Sequence, residues 1–111
     1  MARVELAVTT VTSAGVVPPA EQAASAENNF IPYNDGRVHL EIHNTGGAEG
    51  TVTILQPGVA DGVGYPGKEI KVAAAATKLV GPLSPAVYNQ PNGQVFVNSS
   101  AVTIKFRTYY V

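Results

Sequence analysis

Residues 37–44 read RVHLEIHN, in which Val38, Leu40 and Ile42 alternate with His39, Glu41 and His43. A period of two puts the three apolar side chains on one face of a strand and the three polar ones on the other. Turn chemistry brackets the stretch, with Asn34-Asp35-Gly36 before it and Gly46-Gly47 after it. A strand of this kind needs an apolar partner layer, and the rest of the chain repeats the same demand.

Working outward, residues 3–11 alternate as one half-buried strand, with Val4, Leu6 and Val8 on one side and Arg3, Glu5 and Thr9 on the other. Phe30-Ile31 predicts a short edge strand ended by Pro32, which has no donor for a ladder. Residues 51–55 turn Val52 and Ile54 inward, Ile70 and Val72 mark a further strand, and Leu79-Val80 a shorter one that stops at Gly81-Pro82. Pro91-Asn92-Gly93 fits a type I turn with Gly93 in the left-handed bulge position ahead of Val95 and Val97. Residues 101–109 place Val102, Ile104, Phe106 and Thr108 on one face, and Thr103, Lys105 and Arg107 on the other.

Two segments break the alternation. Residues 13–29 contain Pro18-Pro19 and scattered alanines and read as a long loop or arm. Residues 58–67, punctuated by glycines and Pro66, read as an ordered surface excursion. No stretch carries a convincing helical period. About seven or eight short strands spaced by Gly and Pro turns predict an all-β, single-domain antiparallel β-sandwich or jelly-roll-like barrel spanning residues 1–111. A domain of 111 residues buries roughly two-thirds of its unfolded surface and leaves no room for a second core.

Charged residues make up 14% of the chain, against about 25% in ordinary soluble domains. So sparse a coat fits either a surface covered by a partner or a β-protein clad in Thr, Ser, Asn and Gln. The net charge of -1 comes without runs of either sign, so no phosphate-tracking patch is visible and no nucleic-acid partner is expected. The absence of cysteine excludes disulfides, thiolate metal sites and Cys nucleophiles. The first ten residues lack the apolar core of a signal peptide, and no apolar run approaches the ~18 residues that span a bilayer, so neither export nor a membrane is expected.

The group with most chemical promise is His39, Glu41 and His43. On a strand, His39 and His43 share a face but stand ~13 Å apart, whereas a shared zinc would need both within ~2.1 Å. His39 and Glu41 lie ~6.6 Å apart along the strand, and a third ligand would have to come from elsewhere. The residues read better as a solvated or interface-facing polar row, with no metal, cofactor or catalytic set expected. Neither Asn34-Asp35-Gly36 nor Asp61-Gly62 has the acidic spacing of a calcium loop, and no serine sits in a nucleophile elbow. Tyr33, Tyr65, Tyr88, Tyr109 and Tyr110 open one alternative, a carbohydrate-binding or adhesin-type module that stacks a sugar on tyrosine.

Three pieces in order carry a resemblance: the NDGR turn before an alternating strand, the VTI stretch followed by Pro57 and a later Asp-Gly, and the run from Lys78 through Gly81-Pro82, Pro85 and Tyr88-Asn89 to Gly93 and Val95. In these features the chain resembles, nearly end to end, small capsid decoration (cement) proteins encoded beside the major capsid gene of tailed bacteriophages. The alanine-rich residues 71–78 depart from that pattern. The resemblance implies a non-enzymatic virion protein, made in the bacterial cytoplasm and bound to the capsid exterior. It implies the major capsid protein as partner, a homotrimer on the shell, and a β-sandwich or jelly roll. The candidate contact residues are Val16, Val17, Pro18 and Pro19 in the arm, Tyr33 and Tyr65 in turns, and Pro82, Leu83 and Tyr88 in the proline-stiffened corner. Residues 3–12 and 13–29 are the candidate clip onto the shell.

Overall fold

The computed structural model describes residues 3–60, 62–64 and 67–110. In chain order the strands are β1 (Val4–Glu5), β2 (Val8–Thr10), β3 (Gln22–Ala23), β4 (Asn29–Ile31), β5 (Val38–Asn44), β6 (Gly50–Ile54), β7 (Val59–Ala60), β8 (Val63–Gly64), β9 (Lys68–Val72), β10 (Thr77–Val80), β11 (Val95–Ser99) and β12 (Ile104–Tyr110). One helical turn, α1 (Pro85–Tyr88), lies between β10 and β11. The chain is an all-β sandwich. One sheet has the order β1-β4-β11-β6-β9, the other β10-β5-β12-β2, with β3 also on β12, and β7 and β8 form a separate small hairpin in the 58–67 excursion.

The alternation in the sequence becomes the core. Val38, Leu40 and Ile42 of β5 and Ile104 and Phe106 of β12 face Val52 and Ile54 of β6, Ile70 and Val72 of β9, and Val95 and Val97 of β11 across a single apolar layer. The turn before β11 has the expected geometry: the Gly93 amide donates to the Gln90 carbonyl at 2.9 Å, and Gly93 has φ of 84°.

Several expectations are corrected. The sheets are mixed rather than purely antiparallel, because β1 runs parallel to β4 and β2 parallel to β12. Residues 3–11 are not one strand: β1 joins one sheet and β2 the other, and buried Leu6 makes the crossing. Of the expected inward row only Leu6 is buried, Val8 is half-buried and Val4 is exposed, because a segment passing along the side of a sandwich packs one side chain at the crossing rather than a whole face. Phe30-Ile31 is not at an edge, since β4 lies between β1 and β11. Val102 is 56% exposed in the turn before β12, so the last strand starts at Ile104.

The arm is shorter than residues 13–29. Gln22-Ala23 pair with Phe106 and Lys105, Ala24 is buried, and its amide donates to the Ile104 carbonyl at 2.8 Å. α1 was not expected either. Its signal is local: Ser84 at the N-cap with Pro85 in the first turn, where a missing N–H costs nothing.

The two open sides of the sandwich are closed differently. On one side a single segment supplies both edge strands, β1 and β2. Gln22 pins its crossing point: the Ala7 amide donates to Gln22 Oε1 at 3.1 Å, and Gln22 Nε2 donates to the Glu5 carbonyl at 2.6 Å. On the other side the edges are β9 and β10, joined through the short alanine turn 73–76.

Candidate functional site

The outer face of the β10-β5-β12-β2 sheet gathers most of the chemistry-bearing side chains. The polar row of β5 lies there, and its three members have separate surroundings. His43 Nδ1 is 2.6 Å from Glu21 Oε2 in the segment after the arm. Glu41 Oε1 accepts from Arg107 Nη1 at 2.8 Å, its cross-strand neighbour in register. His39 sits opposite Tyr109, and its buried Nδ1 has no hydrogen-bond partner. The three residues therefore do not converge, and among the described residues no group of three His, Asp or Glu side chains is placed to hold a metal ion.

Arg107 does two jobs. Its Nε donates to the Pro19 carbonyl at 2.8 Å while its Nη1 holds Glu41. The hydrogen bond to Glu41 holds the guanidinium above the ordinary arginine value, opposed by partial desolvation. The base of the arm is thus moored to the sheet by Arg107 and by the pair of Glu21 with His43, while its tip stands free. Val17 at the tip is 85% exposed, and Val16 and Pro18 are also exposed. Val11, His39, Leu79 and Tyr109 line an open, mainly apolar groove of about 330 Å³.

The remaining candidates form a second region around α1. Leu83 is 2% exposed and belongs to the core, so it offers nothing to a partner in this fold. Tyr88 is half-buried against that core, whereas Pro82 is exposed. Asn34 ties the corner together: its Nδ2 donates to the Leu83 carbonyl at 3.1 Å and to Asn89 Oδ1 at 2.8 Å, and Asn89 Nδ2 donates back to the Asn34 carbonyl at 2.7 Å. Tyr33, 47% exposed, meets Tyr110 with ring centroids 5.8 Å apart and planes tilted by 58°. Tyr110 in turn donates to Asp35 Oδ2 at 2.5 Å and lies under the Arg37 guanidinium, 4.7 Å from its ring centroid. Tyr65 falls outside the described residues.

The described tyrosines do not make one flat surface, because Tyr109 joins the groove, Tyr88 packs on the core and Tyr110 is tilted against Tyr33. Reading the sequence missed Leu79, which is 65% exposed, and the role of Arg107 as a mooring post. Leu79 looked like an ordinary strand residue, and its exposure follows only from β10 lying at an edge. No helix among the described residues is long and apolar enough to cross a membrane. Compared with known proteins, the chain matches no family model, no curated protein and no solved structure.

Proposed function

We propose that this chain is a structural virion protein that binds the exterior of a tailed-bacteriophage capsid and stabilises it, with the major capsid protein as partner and a homotrimer as the bound form. The observation that carries this reading is the exposed apolar tip Val16-Val17-Pro18, held at its base by Arg107 and by Glu21 with His43 on the sandwich. Prolines at positions 18 and 19 lower the entropy lost when such a tip is fixed against another surface. A ligand that binds the closed shell but not its dissociated subunits stabilises the shell by mass action. In this reading the clip is the segment 12–20, which belongs to no strand.

Co-sedimentation of the purified protein with undecorated, expanded capsids tests the reading. Binding is expected, and Val17→Asp is expected to weaken it at least tenfold with stability changed by no more than about 0.5 kcal/mol, as for an exposed site. Absence of the native protein from the capsid pellet overturns the reading.

A further inference from the structure

The outer edge of β10 is open, and its geometry is specific. The Asn44 amide donates to the Ala76 carbonyl at 3.0 Å, which makes residues 44 and 76 a hydrogen-bonded pair. In an antiparallel ladder such pairs alternate, so Lys78 with Ile42 and Val80 with Leu40 are bonded inward. Thr77 and Leu79 therefore turn their N–H and C=O groups away from β5, and among the described residues no strand pairs with that edge. Side chains at the same edge sort by face. Leu79 lies on the outer face and lines the groove with His39, Tyr109 and Val11, while Lys78 projects to the opposite side.

Charge on this side of the sandwich is lopsided. Each arginine is engaged internally: Arg3 with Asn98 and Phe96, Arg37 over Tyr110, and Arg107 with Glu41. Lys68, Lys71 and Lys78, on the two edge strands β9 and β10, form no ion pair among the described residues, and Glu69 is the one acid on those strands. Lysine on an edge strand guards against self-association, but a guard needs neither an apolar groove beside it nor an exposed leucine.

The geometry points to β10 as a strand-addition site for an extended segment of a partner protein, one that carries an apolar residue opposite Leu79 and an acidic residue opposite Lys78. Main-chain bonds to Thr77 and Leu79 supply docking, and the alternating side chains supply choice: the apolar one packs on Leu79 at the rim of the groove on the outer face, and the carboxylate meets the ammonium on the other. This site is separate from the arm, and its test uses no capsid, so its failure and that of the capsid reading are distinguishable.

The test titrates the full-length protein with blocked, fluorescently labelled peptides of alternating Val and Glu or alternating Val and Lys, read by polarisation and by amide hydrogen exchange. The Val/Glu peptide is expected to bind at least tenfold more tightly than the Val/Lys peptide, and Lys78→Glu is expected to reverse that order. Binding is expected to slow exchange at the Thr77 and Leu79 amides, with little change at Lys78 and Val80, which β5 already protects. Leu79→Asn, at an exposed position, is expected to weaken the Val/Glu peptide about tenfold with the fold intact. Equal binding of the two peptides, no binding of either, protection elsewhere, or full displacement by a single-stranded oligonucleotide overturns the proposal.

Discussion

Asn44 shows how much one polar side chain can hold. It is buried at the end of β5, donates from Nδ2 to the Val72 carbonyl at 3.0 Å and the Ala48 carbonyl at 2.8 Å, and accepts from the Gly46 amide at 2.9 Å. Asn44→Ala removes a partner of the Val72 carbonyl in the interior and of the Ala48 carbonyl and Gly46 amide nearer the surface, and is expected to cost roughly 1–3 kcal/mol in urea unfolding. Gly81 makes a second point. It has φ of 146°, and a Cβ there would come within 2.7 Å of His39 Cδ2 and 3.0 Å of the His39 Cα. Gly81→Ala is therefore expected to destabilise the fold by about 1–3 kcal/mol and to disturb the groove, visible as a shift of the His39 ring resonances. Tyr110 titrates above the ordinary tyrosine value, first because its hydroxyl donates to Asp35 and then because of desolvation. A raised folded-state value means the contribution is fully present below the unfolded pKa of about 10 and is lost as pH rises through the folded one. The stability gap between the native protein and Tyr110→Phe should thus persist at pH 7 to 9 and close in strong alkali, as followed by pH-dependent urea midpoints. None of these roles is legible in the sequence, where Asn44 and Gly81 read as strand ends and Tyr110 as one of five tyrosines.

At the scale of elements, the period of two is the reliable signal. The inward rows Val38-Leu40-Ile42, Val52-Ile54, Ile70-Val72, Val95-Val97 and Ile104-Phe106-Thr108 are buried where alternation puts them. Failures cluster where burial and pairing come apart. Leu6 is buried as alternation demands, yet the strand around it is split between two sheets, because one side chain anchors a crossing as well as it anchors a ladder. Leu6→Ala is expected to cost about 2–5 kcal/mol, the range for an aliphatic core truncation, and to speed hydrogen exchange in both β1 and β2. If only one of the two strands loosened, the crossing would not act as a single latch. The segment 13–29 misled for the opposite reason: Gln22, Ala23 and Ala24 have no apolar rhythm, and they are held by pairing with β12 rather than by their own pattern.

At the scale of the whole molecule, the last strand is the centre of its sheet. β12 pairs with β5 along one side and with β3 and then β2 along the other, so three earlier segments wait for it. Deleting residues 104–111 is expected to leave the chain unfolded by circular dichroism, whereas excising residues 13–18 in the exposed loop should retain the sandwich. The class of fold, most of the inward-facing rows and the turn before β11 were legible in the amino-acid order, because alternation, glycine and proline act through local geometry. Only the tertiary structure decided which strands became edges, that one segment closes one side of the sandwich, and that the arm lies moored across the outer face. Those outcomes depend on pairing between residues far apart in the chain, which local geometry does not encode.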